Sequence, residues 1–506
     1  MKINTLFLKL FIFIGFSILL FACNKSTNKM KLPIPIIEAG TAKLSGKIEG
    51  YNTDSISFKI TVPQSITLDL IRQDLKIESD GSFSIEVPIE TNPAIGFLYD
   101  LNSGKGFTIS LEANKETKIH IDKDSISVIS GPNFYTENNE RTQDVFLKAA
   151  QTASRYDLLN KELLDSCINN PKRYIPINQY DLDKRLEIFS KDSLLSEQSK
   201  IYFTYYLKSI QIASPLQFSE EMEHIFLNIK EKGDTTTLNV KEPDLSYYSF
   251  MKDYDLGNPY YFYSEYYGRI FQSIFRNEIF NIPEIKETPI KEWLAGFKQT
   301  MANLVGTDTG SFYDMAIAQS YMRQLSYQMK PLSDKQIQNI KDYFGNTGLT
   351  EVILRKNKGV AEIASSKGVS ILNDTPKVSK EKLLDAIIDK YKGKVVLVDF
   401  WATWCGPCLN AIKEMIPLKQ KLKEKDIIFV YITNTSSPFK LWKERANACG
   451  GEHYYLSAEE WEYISNNLHI EGIPAYLLYD KKGVIKYKTT GYPGTEEFKQ
   501  KIEELL

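Results

Sequence analysis

The chain has 506 residues, 42% of them hydrophobic and 25% charged, with 62 Lys and Arg against 64 Asp and Glu. That length is roughly three typical domains, enough to bury several apolar cores, and a formal net charge of -2 gives no electrostatic footing for nucleic acid. Five cysteines are too few for a scaffold held together by disulfides.

Lys2 and Lys9 precede the apolar run Leu10 to Leu20, which is short for a membrane span and fits the core of a signal peptide; an uncleaved anchor is the alternative. The run ends in Leu20-Phe21-Ala22-Cys23, which resembles a bacterial lipobox. That resemblance implies a signal peptide over 1–22, lipidation of Cys23, and a membrane-anchored tether over 23–39, with the remainder outside the cytoplasm. Asn24 is not acidic and Ser26 to Lys31 carries no acidic run, so lipoprotein sorting patterns point to the periplasmic face of the outer membrane.

Over 40–135 the apolar residues alternate, as in Ile56, Phe58, Ile60 and Val62, then Phe83, Ile85, Val87 and Ile89, then Phe107, Ile109 and Leu111. A period of two predicts half-buried antiparallel strands, and Asp80-Gly81 between two such runs is a hairpin signal. The expected unit is an antiparallel β-sandwich. It resembles a small domain of unknown activity that precedes redox modules in envelope lipoproteins.

From 136 to 365 the period becomes helical, giving a central α-helical domain. Ser333 with Gln336 forms a capping-box pattern ahead of Ile337, Ile340 and Phe344. Cys167 shares a helical face with Leu163 and Leu159, which predicts a buried, inert thiol. The aromatic stretch from Tyr247 to Tyr267 reads either as helix packing with hydroxyls at the rim or as a binding platform for a glycan or polypeptide.

The unit 366–506 alternates strand and helix, which predicts an α/β fold. A helix Ser379 to Tyr391 leads into a strand from Lys394, and Trp404-Cys405-Gly406-Pro407-Cys408 follows directly and opens the next helix. Two intervening residues let the cysteines close a small ring on oxidation. At a first helical turn Cys405 sits among unpaired N–H groups at the positive end of the macrodipole, which favours its thiolate. Pro407 is tolerated there because the first helical N–H groups need no partner. The zinc alternative needs further ligands, and the chain offers four histidines and no second Cys-x-x-Cys, so no metal is expected. Farther on come strand Ile427 to Thr433, helix Phe439 to Cys449, strand His453 to Leu456, helix Ala458 to Asn467, a hairpin over Ala475 to Lys488, and helix Thr495 to Leu506. A Cys167–Cys449 bridge stays open.

The segments VVLVDFWATWCGPC, Val395 to Cys408, and GIPAYLLYDKKGVI, Gly472 to Ile485, resemble the thioredoxin superfamily, and within it the extracytoplasmic reductases of the TlpA and ResA type. Peroxiredoxins carry Thr three residues before their cysteine, where this chain has Ala402. The resemblance implies a thioredoxin fold with Cys405 as attacking thiol, Cys408 as resolving thiol, and Asp399 as a buried acid on the central strand. Its apolar surroundings predict a raised pKa suited to accepting the proton of Cys408. Pro474 matches the cis-proline loop, and with Ile473 and Trp404 it is expected to contact an extended substrate. One departure is Ala411, where close relatives carry a glutamate; the nearest acid is Glu414 and the nearest proline Pro417.

The resulting expectation is a membrane-anchored thiol-disulfide oxidoreductase without a cofactor, reducing disulfide-containing envelope proteins and drawing electrons from a membrane partner. A disulfide oxidase or isomerase, and an envelope binding or assembly lipoprotein with a noncatalytic dithiol, are the alternatives.

Overall fold

The computed structural model describes residues 31–50, 58–101, 103–122, 125–152, 160–229, 238–366 and 369–506. The apolar leader and the expected lipidation site Cys23 lie outside the described residues, among which no helix is long and apolar enough to cross a membrane.

Alternating apolar residues build β1 (Ile36–Ile48), β2 (Phe58–Pro63), β3 (Leu70–Asp74), β4 (Ser82–Asn92), β5 (Ala94–Asp100), β6 (Gly106–Leu111), β7 (Glu116–Asp122), β8 (Ser125–Ser130) and the short β9 (Glu137–Asn138). They form a four-stranded sheet in the order β4-β1-β7-β8 and a five-stranded sheet in the order β3-β2-β5-β6-β9. Leu44, Val87 and Ile119 from the first share one apolar core with Phe58, Ile60, Phe107 and Ile109 from the second.

Two expectations need correction. The sheets are not purely antiparallel: β1 runs parallel to β7, from Lys43 opposite Glu116 to Ile48 opposite Ile121. The chain leaves the first sheet after β4, forms β5 and β6 in the second, and returns as β7, so no local turn fixes its direction. Asp80-Gly81 does make a tight turn, with the Glu78 N–H donating to the Ser82 carbonyl at 2.8 Å and Gly81 at φ +83. Pairing stops after one bridge, Ile77 to Phe83, because β3 and β4 belong to different sheets.

Helices dominate from Glu140 to Ser366. Ser333 caps the helix Asp334–Phe344 with the reciprocal Gln336 bond in place. The aromatic stretch forms 3-10 helices Leu245–Tyr254 and Pro259–Tyr263 and then the helix Glu265–Arg276. Tyr247, Tyr248, Tyr261 and Tyr267 are buried, with Tyr247 and Tyr248 edge-to-face at 5.0 Å, so packing accounts for them and no open platform forms. Nearby, the Tyr260 and Tyr263 hydroxyls donate to the carbonyls of Leu32 and Pro33 at 2.9 and 3.0 Å.

The C-terminal sheet runs β10-β13-β12-β11-β14-β15, where β10 is Ser370–Leu372, β11 Val395–Phe400, β12 Ile427–Asn434, β13 Gly451–Leu456, β14 Ala475–Tyr479 and β15 Ile485–Thr490. β10 to β13 pair in parallel, β14 runs antiparallel to β11, and β15 runs antiparallel to β14, with helices Lys380–Asp389 and Ala458–Asn467 over one face and Gly406–Lys421 and Thr495–Glu503 over the other. The edge strand β10 was not expected. Its three residues show no alternating pattern, and only its ladder with β13 makes it a strand. Upstream contacts are ionic as well as apolar: Asp69 takes Lys356 at 2.5 Å and Lys413, on the helix Gly406–Lys421, at 3.7 Å.

Gly46 marks the parallel pairing, because a Cβ there would lie 2.3 Å from the Ile119 carbonyl oxygen. Gly46→Ala is therefore expected to destabilise the two-sheet unit by about 1–3 kcal/mol. Urea unfolding followed by circular dichroism would check this, an unchanged midpoint being the contrary result.

Candidate functional site

β11 carries the chain up through the middle of the sheet, and its C-terminal end delivers Trp404 and Cys405 to the start of the helix Gly406–Lys421. Cys405 is the N-cap residue, its sulfur accepting the Cys408 N–H at 3.2 Å, with Pro407 in the first turn where a missing N–H costs nothing. Cys405 and Cys408 are joined as a disulfide, their Cα atoms 5.3 Å apart. Cys405 is 4% exposed, whereas the Trp404 ring beside it stands 63% exposed.

Across from the sulfur lies the loop before β14. The Ile473–Pro474 bond is cis, and the Ile473 carbonyl oxygen sits 3.7 Å from Cys405 Sγ. In the reduced state that oxygen can accept the thiol proton; in the disulfide the pair is a van der Waals contact. Trp404, Cys405, Ile473 and Pro474 thus share one edge of the fold.

Asp399 lies in β11 between Tyr431 of β12 and Tyr476 of β14 and is 6% exposed. Alternation puts it on the same face as Val395 and Leu397, beneath Ala411 and Met415 of the helix Gly406–Lys421. Its Oδ1 has no hydrogen-bond partner among the described residues, and burial raises its pKa well above the carboxylate range while the Lys419 cation pulls the other way. Lys419 is pushed down to about 8 by its own burial, and its Nζ donates to the Tyr431 hydroxyl at 2.9 Å and the Cys449 carbonyl at 2.8 Å. Ala411 is buried in the core under that helix, so a glutamate here would put a carboxylate among Val395, Leu397 and Met415. Glu414 is exposed, and its carboxyl feels Lys59 and Arg72 of the upstream sheet.

Residues 375–506 match the Redoxin family. Thioredoxin-like protein YneN of Bacillus subtilis is 30% identical over 162 residues, which cover 31% of this chain and 90% of that protein. The chain belongs to the thioredoxin-like family. Thiol-disulfide oxidoreductase ResA of Geobacillus thermodenitrificans is 29% identical over 118 residues, so this thioredoxin-like chain spans 65% of that relative's length with 23% of its own. A solved thiol:disulfide interchange protein of the thioredoxin family from Chlorobium tepidum is 22% identical, covering 23% of this chain and 83% of that one, at a TM-score of 0.21.

Some residues of this thioredoxin-like site were not foreseen. The loop after β12 holds the motif: the Ser437 hydroxyl accepts the Thr403 N–H at 2.9 Å, and the Trp404 indole N–H donates to the Ser436 hydroxyl at 3.0 Å. Arg445, from the helix Phe439–Cys449, is 1% exposed; its guanidinium donates to the Thr403 carbonyl and, at 2.8 Å, to the Tyr327 carbonyl of the helical region. A signal existed for the serines, since Asn434 to Pro438 is a polar turn at the carboxyl end of a parallel strand, where sites gather. Arg445 left none, because it bonds backbone carbonyls. Cys167 and Cys449 are both buried and not disulfide-bonded, so no bridge joins them.

Because the folded-state pKa of Asp399 is raised, the unfolded chain ionises first as pH rises, and stability falls from about pH 4 up to the folded pKa. Asp399→Asn is expected to abolish that fall, gaining on the unmodified protein by about 1.4 kcal/mol per pH unit across the window. Denaturant midpoints of the oxidised proteins between pH 4 and 9 would show it; parallel curves would mean that Asp399 titrates normally.

Proposed function

We propose that this chain is a thiol-disulfide oxidoreductase that reduces disulfides of envelope proteins, anchored through Cys23 on the outer side of the cytoplasmic boundary. The observation that carries the reading is the Cys405 sulfur at a helix N-terminus, accepting the Cys408 N–H and already paired with Cys408 as a disulfide. Unpaired first-turn N–H groups and the helix dipole favour a thiolate at that atom over one in solution.

In the reduced protein the Cys405 thiolate attacks one sulfur of a client disulfide, forming a mixed disulfide and releasing the other client sulfur as a thiolate. Asp399 in its ionised form accepts the Cys408 proton, and burial, by raising its pKa, makes that carboxylate a stronger base than one in water. The Cys408 thiolate then attacks Cys405 Sγ, the client leaves as a dithiol, and the protein is left as the Cys405–Cys408 disulfide. Two electrons from a membrane dithiol partner regenerate it. Ile473 supplies backbone beside the sulfur for an extended client, and the exposed Trp404 ring supplies apolar contact. Gly406-Pro407 resembles the dipeptide of reducing thioredoxins, which favours reduction over oxidation.

Cys408→Ser is expected to hold clients on Cys405 as mixed disulfides in an oxidised envelope, read as thiol-sensitive bands on a non-reducing gel, and Cys405→Ser to abolish them. Failure of both variants to differ would defeat exchange. Asp399→Asn is expected to slow insulin reduction by about 10²-fold at neutral pH. Direction is decided separately, by the Cys405–Cys408 potential: a value near about -120 mV, as in the oxidant DsbA, would replace reduction with oxidation.

A further inference from the structure

The second sheet has an outer face as well as a core face. Along β2 and β5 the residues alternating with core Ile60, Val62 and Leu98 are Lys59, Thr61, Phe97 and Tyr99, and these face the helices Glu140–Thr152 and Glu197–Leu216 across a cavity of about 810 Å³. Aromatic side chains form one part of its wall. Phe97 lies 5.9 Å from Tyr202, Tyr202 lies 5.8 Å from Tyr206, and Tyr206 lies 6.4 Å from Phe146, so these rings form a continuous aromatic row along it.

One wall carries an acid. Glu265, the first residue of the helix Glu265–Arg276, lines the cavity, and its Oε2 is buried with no hydrogen-bond partner among the described residues. Desolvation raises its pKa, opposed by the backbone N–H of Glu265 itself and then by the Arg269 cation, whose guanidinium is stacked over the Tyr266 ring at 4.9 Å. Tyr202 and Tyr206, which line the same cavity, both feel the Glu265 charge at their hydroxyls. The basic residues of the cavity, Lys59 and Arg72, lie on the sheet side, and Lys59 is engaged with Asp74 at 3.3 Å.

A carboxylate oxygen kept out of water without a donor is costly, and a cation that supplies the missing donor removes that cost. Aromatic faces around it attract the same charge through their quadrupoles. The volume is that of a small-molecule site and not of a buried water. We infer that this cavity binds a small organic cation with an apolar body, its ammonium or guanidinium group on Glu265 and its body between Phe97, Phe146, Tyr202 and Tyr206. The site belongs to the upstream part of the chain and is independent of the cysteine chemistry.

Two probes of nearly equal shape test this on the full chain: 2-phenylethylammonium and neutral 2-phenylethanol, titrated at pH 8 and followed by calorimetry and tyrosine fluorescence. The expected result is saturable one-to-one binding of the ammonium, with the alcohol weaker by at least about tenfold, and a loss of at least about tenfold for the ammonium alone in Glu265→Gln. Equal binding of the two probes, absence of saturable binding, or an unaltered Glu265→Gln affinity would each overturn the proposal. Should Glu265→Gln lose its folded circular dichroism, the comparison of the two probes on the unmodified chain decides alone.

Discussion

A guanidinium buried to 1% exposure must have its N–H groups answered by acceptors, and Arg445 answers them with carbonyls from two separate parts of the chain. One belongs to Tyr327, in the helical region; the other belongs to Thr403, two residues before Cys405. Burial pulls Arg445 down to about 10, still far enough above neutrality for it to stay charged. The planar fork suits this role better than a lysine would, because it holds two acceptors at fixed angles. The position of the redox motif is therefore set partly from outside its own fold. Met329, just past Tyr327 and in the left-handed region at φ +49, packs into the same apolar cluster as Cys405, Cys408 and Trp442.

The helix that starts at Cys405 is divided among four tasks around its circumference. Its first turn supplies the N–H group that meets the Cys405 sulfur, and Ala411, Met415 and Leu418 press on the sheet over Asp399. Lys413 reaches outward to Asp69, while Lys419 reaches the carbonyls that end the helix Phe439–Cys449. Helical periodicity separates these directions, so one element can press on a desolvated acid, present a sulfur, and dock on the upstream sheet without the charges meeting. Lys413 and Lys419 differ by six residues, about 1.7 turns, and so point to different sides.

How much of this was legible in the sequence follows from the range of each interaction. The redox strand, the helix start at Cys405, the Ser333 cap and the hairpin between β14 and β15 are local patterns, and the structure places them where their residues indicate. The parallel β1–β7 pair was not legible, because register between segments some 70 residues apart is set by packing that alternation cannot encode. Asp80-Gly81 fixes a turn but not which sheet its flanking strands join. The tyrosine-rich stretch had the composition of a platform as much as of a core. Only the positions of Phe218, Phe280 and the helix Glu265–Arg276 around it decide for burial. Asp399 was legible because a charge inside a run of valines is conspicuous, and Arg445 was not, because an arginine on an amphipathic helix ordinarily faces water.

These contacts also constrain what can reach the sulfur. Arg445 and Met329 join the motif to the helical region on one side, and Asp69 with Lys413 joins its helix to the two-sheet unit on another. What stays open lies around the exposed Trp404 ring and the Ile473 backbone, just before the β14 ladder begins at Ala475. A sulfur at 4% exposure cannot be met by a flat protein surface, so under the proposed exchange a client must present its disulfide on a protruding or unfolded segment. An extended strand laid beside Ile473 satisfies that requirement with backbone hydrogen bonds that ignore sequence, while Trp404 contributes apolar contact that is equally undiscriminating. Under the same proposal, selectivity then has to come from the fold of the client, through which disulfides it leaves exposed on mobile chain, and from the upstream units, which Arg445 and the half-buried Asp69–Lys413 pair join to the redox fold.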